Sequence, residues 1–437
     1  MLKYHFGPLK RAIIVEQPSV ILDDLLTKEG MDVHRLSYVP NEEQLIAEIN
    51  AKKSQILFKR SRVKVTRRIL EECPSLFMIQ LCCIGDDSVD KQACADYGVM
   101  VCNDPVSNGR SVVELVIGNM IVLSRRLYET NLRCREGNWD KNNQARYEVK
   151  EKNIGILGLG NIGRSVARAA HFLGMNVCFF DTRQVSIELG KELGWKHVTE
   201  IDALFRMSDI LTVHLSAQDI QGHSNEGVLG SETLAQLGAD RVNSPKIFIN
   251  FARGFLHTPQ ALMDAIDQGG IHKAAVDVYP KEPRKGESWS NPYKDCSQVA
   301  VFPHIGASTQ EAQPRIAKRV FETVSKFSHQ GIVRDTPFRV RSNIALSDNP
   351  RSAQALLVVC HSTTRGTKRA IDEAIYEAGI SNLSSVHSDF HEYGFAYEIA
   401  LLDNILTEQG VADIVQRAEN LTGEKNVIRS IRQIQVS

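Results

Sequence analysis

The sequence predicts an α/β chain with two doubly wound parallel-sheet domains and a smaller C-terminal βαββαβ domain of ferredoxin-like order. Three observations predict it. Short apolar runs alternate with helical patterns from Arg11 to Asn103, as in an open parallel sheet with helices on its faces. The alternation restarts at Asn153, after a long helical stretch. The final segment reads strand, helix, hairpin, helix, strand.

In the first stretch "RAIIVE", "QILFK", "LFMIQLCCIG" and "VMVCN" read as strands. "SVILDDLLTKEG", "TRRILEECP" and "VDKQACADYG" read as helices, with Gly30 and Gly98 as stops and Thr66 as an N-cap. "SNGRSVVELVIGNMIVLSRRLYETNLRCREG" reads as one connecting helical pattern. In the second stretch the strands are "NIGIL", "NVCFFD", "DILTVHLS", "KIFINFA", "KAAVDVY" and "VAVFPH", and a helix follows His304. The expected domains are 1–105 with 305–332, then 106–304, a polar linker at 333–352, and 353–437. In the last of these "QALLVVCHS" and "VIRSIRQIQV" are outer strands in sequence, with a hairpin turning near Tyr393-Gly394 between two helices.

Composition narrows the function. Lys plus Arg equals Asp plus Glu, 52 each in 437 residues, so the basic surplus usual for nucleic-acid binding is missing. The nine cysteines form no C-x-x-C pair and sit in apolar contexts, which predicts reduced core thiols rather than disulfides, metal ligands or a catalytic thiol. The N-terminal stretch carries no long apolar segment after its charges, and no apolar run reaches the roughly 20 residues that span a bilayer. A cytoplasmic protein is expected.

"GLGNIG" fits G-x-G-x-x-G in its required setting: a strand before it, a helix after it, and a second strand ending in Asp181. Gly158 serves the tight turn, Gly160 lets backbone approach a pyrophosphate, and Gly163 lets helix and strand pack closely. The Asp181 carboxylate would accept from ribose hydroxyls and repel a 2′-phosphate, which favours NAD over NADP; Arg183, two residues on, is able to pair with such a phosphate. A hydride-accepting cofactor implies a partner that takes a proton, a task suited to histidine with a neighbouring carboxylate. A substrate carboxylate suits arginine. Arg253, Glu282 and His304 follow predicted strands, at the edge where open α/β sheets bind ligands. No metal is implied.

These segments together resemble the D-2-hydroxyacid dehydrogenase family, and within it the phosphoglycerate branch. The family's N-x-S-R-G is similar to Asn250-Phe251-Ala252-Arg253-Gly254, its glutamate segment to "DVYPKEP", and its histidine motif to "PHIGASTQEAQ". "SNGRSVVELVIG" resembles the helix leading into its nucleotide domain, and the likeness runs from about residue 8 to about 330. The resemblance implies Rossmann and flavodoxin-like domains, with His304 as acid/base, Glu282 as its partner and Arg253 on the substrate's carboxylate and carbonyl. It implies an NAD site lined by Gly158, Gly160, Asn161, Ile162, Gly163, Asp181, Phe251, Ala252, Arg253, Asp277, His304, Ile305, Gly306 and Ala307. Oxidation of 3-phospho-D-glycerate to 3-phosphohydroxypyruvate is the implied reaction, at the entry to serine synthesis. Another D-2-hydroxyacid dehydrogenase activity and an NAD-sensing, partner-binding protein are the alternatives. A homodimer or homotetramer is also implied, with the segment around Trp139 packing between subunits.

The run "KRSRVK", residues 59–64, follows the strand "QILF" and so lies on a ligand-binding edge. Arg60 and Arg62 are placed to clamp a phosphate with forked donors and Ser61 to add a hydrogen bond, while Lys59 and Lys64 shape the field or face water. The phosphoglycerate branch has Arg-Ser-Arg at the matching place, and the resemblance adds Gly85 and Asn108 to the substrate contacts. Four departures stand out. Ala252 replaces the usual serine, Asp86 replaces a neutral residue in the substrate loop, and "AQLGADRVNSPKI" is longer than the usual turn. The tail resembles an ACT regulatory module, but its effector motif H-x-N-x-P-G reads His361-Ser362-Thr363-Thr364-Arg365-Gly366, and the second asparagine is Ser381 with Asn382 beside it. Inhibition by L-serine is therefore not expected; assembly, or another effector, is.

Overall fold

The computed structural model describes residues 3–219, 221–283, 287–338, 342–347 and 352–436. The chain forms two compact units: residues 108–312, and residues 1–107 together with 313–437. Among the described residues no helix is long and apolar enough to cross a membrane.

Among the described residues the larger unit contains two five-stranded sheets and a two-stranded one. The first is all parallel, in the spatial order Asp32–Arg35, Arg11–Ile14, Ile56–Lys59, Met78–Leu81, Met100–Cys102. This is the 2-1-3-4-5 order of flavodoxin-like sheets. Ile56–Lys59 and Met78–Leu81 are buried at every position, as central parallel strands must be when helices cover both faces. Asp32–Arg35 (DVHR) and the helix Glu42–Lys52 escape the sequence pattern: the strand lies at the sheet edge and need not be apolar. That helix opens with a capping box in which Asn41 and Gln44 exchange side-chain and backbone hydrogen bonds.

The second sheet of this unit runs Tyr4–Phe6, Ile428–Gln435, Ala355–Ser362, Phe395–Leu402, Asn382–Phe390. Its last four strands have the antiparallel ferredoxin-like order, with helices Thr367–Glu377 and Glu408–Thr422 over one face. Tyr4–Phe6 adds a parallel edge strand that the sequence pattern does not reveal. The other face carries Leu356, Val358, Phe395, Tyr397 and Ile399 and shares one apolar core with helix Ala312–Gln330 and the flavodoxin-like sheet. The stretch 333–352, expected as a linker, is partly structured instead. Val333–Thr336 pairs with Ser342–Ile344, and Phe338 is buried against Phe390, Tyr393 and Phe395; residues 339–341 and 348–351 of the stretch lie outside the described residues. Burial of Phe338 explains the difference, because an aromatic side chain that size stabilises docking more than a polar tether allows.

The unit 108–312 holds a seven-stranded parallel sheet: Lys196–His197, Asn176–Phe180, Asn153–Leu157, Ile210–Val213, Ile247–Asn250, Lys273–Val276, Val299–Val301. The order reverses at Asn153–Leu157, the Rossmann switch point. The predicted connecting helix is two helices, Gly109–Ser124 and Leu127–Arg135, broken at Arg126, which is left-handed at φ 56°.

Tyr397 is fully buried, and its Oη donates to the Gly331 carbonyl at 2.7 Å. Tyr397→Phe leaves that buried carbonyl unpaired. A loss of about 1–3 kcal/mol is expected, read as a lower urea midpoint at unchanged slope.

Candidate functional site

The glycine loop follows strand Asn153–Leu157 and opens helix Asn161–Phe172. Gly158 has φ 95°, and a Cβ there would sit 2.8 Å from the His214 carbonyl oxygen. A Cβ at Gly163 would sit 2.0 Å from the Gly158 carbonyl oxygen. Both glycines are demanded by the fold. Gly160 is not: a Cβ there would meet only the Arg183 guanidinium, at 3.6 Å. The space kept at Gly160 therefore serves an approaching ligand, and the helix amides beginning at Asn161 and Ile162 favour an anion in it. The residues fit a dinucleotide.

Asp181 ends the neighbouring strand and is buried. Its carboxylate accepts from the Leu159 amide at 2.7 Å, the Arg183 amide at 2.8 Å, and the Arg183 guanidinium at 3.0 and 2.7 Å. Burial opposes the charged form, but the hydrogen bonds and charge of Arg183 outweigh it and hold the carboxyl below its ordinary range. Arg183 is thus engaged by Asp181.

Three loops at the carboxyl edge of the same sheet carry the remaining candidates of this unit. After Ile247–Asn250, the Asn250 side chain accepts from the Ala252 amide and donates to the Arg253 carbonyl, both at 3.0 Å. Asn250 shapes the turn that presents Arg253; the sequence motif contains it, yet its structural role is visible only here. Phe251 is buried edge-on to Phe302, and the half-buried Arg253 donates to the Ala252 carbonyl at 3.0 Å. After Lys273–Val276, the buried Asp277 carboxylate accepts from the amides of Ile305 and Gly306, each at 2.7 Å. Burial pushes the Asp277 carboxyl up despite those two bonds. After Val299–Val301 comes His304, in the left-handed region at φ 56°. The Asp277 bridge to the two following amides holds that uncommon geometry, with Ala307 on the turn beyond.

His304 Nδ1 lies 2.9 and 2.8 Å from the two carboxylate oxygens of Glu282. A carboxylate only accepts, so Nδ1 carries the proton and Nε2 presents a lone pair. The Glu282 hydrogen bond raises the imidazole above its ordinary value; desolvation and the Arg253 charge oppose it. Asn108 heads helix Gly109–Ser124, and its buried Oδ1 has no hydrogen-bond partner among the described residues.

Arg60, Ser61, Arg62 and Gly85 belong to the other unit. The 59–64 loop is built on a residue that the sequence reading missed, Glu16. Its buried carboxylate, at the carboxyl end of strand Arg11–Ile14, accepts from the amides of Arg60, Arg62 and, at 2.8 Å, Val63. The edge rule was the available signal. Arg60 is half-buried and Arg62 exposed, and neither guanidinium has an ion-pair partner among the described residues. Lys59, expected to shape the field or face water, is fully buried; its Nζ donates to the Arg60 carbonyl at 2.7 Å and to Ser88 at 2.5 Å. It braces the loop because its strand is covered on both faces. Lys64 is exposed. Gly85 lies in the loop after Met78–Leu81, and its carbonyl accepts from the Cys83 thiol. The added anion Asp86 is paired with Lys91 Nζ at 2.6 Å, so its charge is offset locally. All nine cysteines are free, and burial pushes the Cys82, Cys94 and Cys102 thiols up, away from reactivity.

Residues 117–306 match the family model of the D-isomer specific 2-hydroxyacid dehydrogenase NAD binding domain. The chain is 30% identical to D-3-phosphoglycerate dehydrogenase 2 of Saccharomyces cerevisiae over 401 residues, covering 89% of this chain and 80% of that protein. It is 31% identical to D-3-phosphoglycerate dehydrogenase of Escherichia coli K12 over 323 residues, covering 74% of each. Among solved structures, a glyoxylate reductase from Paecilomyes thermophila matches with a TM-score of 0.63 at 23% identity, over 76% of this chain and 98% of that one. A 2-hydroxyacid dehydrogenase from Ketogulonicigenium vulgare Y25 matches at 0.61 and 24%, over 73% and 95%. With the glycine loop, Asp181 and the His304–Glu282 pair at one sheet edge, the chain belongs to the D-2-hydroxyacid dehydrogenase family, in its D-3-phosphoglycerate dehydrogenase branch.

Proposed function

We propose that this chain oxidises 3-phospho-D-glycerate to 3-phosphohydroxypyruvate with NAD, the first step of L-serine biosynthesis. The observation that carries the reading is the His304–Glu282 pair beside a dinucleotide loop, in a chain of this branch. When bound, NAD supplies the hydride acceptor. His304 Nε2 takes the proton of the substrate's 2-hydroxyl, while Glu282 orients the ring and stabilises its cation. Arg253 holds the carboxylate and carbonyl. Gly158, Gly160, Asn161, Ile162, Gly163 and Asp181 hold the dinucleotide, with Phe251, Ala252, Asp277, Ile305, Gly306 and Ala307 about the nicotinamide end. Arg60, Ser61 and Arg62 hold the phosphate, supported by two guanidiniums without counter-ions among the described residues; Gly85 and Asn108 complete the substrate contacts. In this scheme residues 1–105 and 305–332 bind substrate and 106–304 bind NAD.

The tail from residue 353 acts as an ACT-like regulatory domain. A groove beside helix Thr367–Glu377, lined by Lys368, Asp372, Tyr376, Asn382 and Ser385, supports an effector other than serine. The chain assembles as a homodimer or homotetramer. Helix Leu127–Arg135 buries no residue within its own unit, and Leu132 and Trp139 are 61% and 85% exposed, which suits a surface covered by a second copy. Free cysteines throughout support a cytoplasmic setting.

His304→Ala is expected to cut turnover by about 10²-fold or more, measured as NADH formation. Oxidation needs the neutral imidazole, so kcat/KM falls as pH drops through the His304 pKa, which Glu282 holds above the ordinary 6.5. In Glu282→Gln that acidic limb moves to lower pH as turnover drops; an unmoved limb contradicts the pairing. Arg60→Ala raises KM for 3-phosphoglycerate far more than for unphosphorylated 2-hydroxy acids, and equal effects on both remove Arg60 from the phosphate site. L-Serine at millimolar concentration leaves the initial rate unchanged.

A further inference from the structure

We propose that His361, His387 and Glu398 form a divalent-metal site in the C-terminal domain, suited to zinc. The sheet register brings them together. His387 stands directly opposite Glu398 across the antiparallel pair Asn382–Phe390 and Phe395–Leu402. Glu398 in turn stands opposite Val359, and His361 lies two residues further along that strand, on the same face. One ligand atom from each residue lies within 4.8 Å of the others.

Each donor is prepared for a cation. His361 is buried, and its Nδ1 donates to the Ser362 carbonyl at 2.7 Å, which fixes the tautomer and leaves Nε2 as a lone pair. His361 Nε2 and His387 Nε2 are 3.2 Å apart. Two nitrogens bound at ~2.0–2.1 Å in a tetrahedral shell stand about 3.3 Å apart, so the pair needs almost no rearrangement. Glu398 is fully buried; its Oε1 pairs with Lys368 Nζ at 2.5 Å, while its Oε2 has no hydrogen-bond partner among the described residues. Such an orphaned carboxylate oxygen is costly unless something binds it. Lys368 also reaches Asp372, at 3.1 and 3.2 Å, so Glu398 is not its sole counter-charge. Two imidazoles and a carboxylate, with a fourth position for water, select a borderline ion over magnesium or calcium. The ion would fasten the edge strand to the two strands beside it.

The test uses the full-length chain, stripped with a chelator and titrated with Co²⁺ while visible absorption is recorded. One equivalent per chain is expected, with d–d bands, no thiolate charge-transfer band, and displacement by Zn²⁺. His387→Ala, on the half-exposed edge strand, is expected to weaken binding at least about tenfold, with circular dichroism confirming its fold; Glu398→Gln is the second variant. Absence of stoichiometric uptake, a thiolate-type spectrum, or affinity unchanged in both variants overturns the site. The first result would leave the two imidazoles merely sharing a proton.

Discussion

Parallel pairing forces every strand of a sheet to end at the same edge, and the chemistry of this chain depends on that constraint. In the unit 108–312 the glycine loop, Asp181, Arg253, Asp277, Glu282 and His304 come from five strand ends, and their sequence separation exceeds 140 residues. No local motif could assemble them. The sheet does so because its central strands are buried at every position but Asn153, which fixes register and therefore the height at which each loop leaves. The other unit repeats the principle, with Glu16 and the 59–64 loop at adjacent strand ends.

The charges at these edges are handled in two ways. Those that shape backbone are buried and hydrogen-bonded: Glu16 by three amides, Asp277 by two, Lys59 by a carbonyl and a hydroxyl. A buried charge without such partners would neutralise or unfold its loop. Those proposed to meet ligands are left partly exposed, as with Arg60, Arg62 and the His304 ring. The division also explains how the chain tolerates Asp86: Lys91 turns an intruding anion into an ordinary ion pair.

Much of this was legible beforehand. The strands of both parallel sheets follow apolar runs, and the glycine, arginine, glutamate and histidine segments announce their chemistry by residue type. What escaped shares one physical trait: it depends on partners distant in sequence. Asp32–Arg35 and Tyr4–Phe6 are edge strands with little apolar signal. Glu16 is one more surface-type residue until its amide partners are known, and Lys59 sits in a basic run whose other members are not fully buried. The break at Arg126 is a separate, local case: no Gly or Pro marks its left-handed turn in Ser124-Arg125-Arg126-Leu127. Phe338 ties down a stretch whose polar composition suggests a tether.

The edge strand Tyr4–Phe6 pairs in parallel with Ile428–Gln435, more than 400 residues away. On the ribosome, the earliest strand of this sheet therefore emerges first and is joined last. Until synthesis reaches the final strand, the apolar face that the two parts of this unit share has no completed cover. Until then the nascent chain holds an unpaired strand edge, the condition under which chaperones bind. Completion of this unit thus waits on its last strand, while the unit 108–312, contiguous in sequence, is free to fold as it emerges.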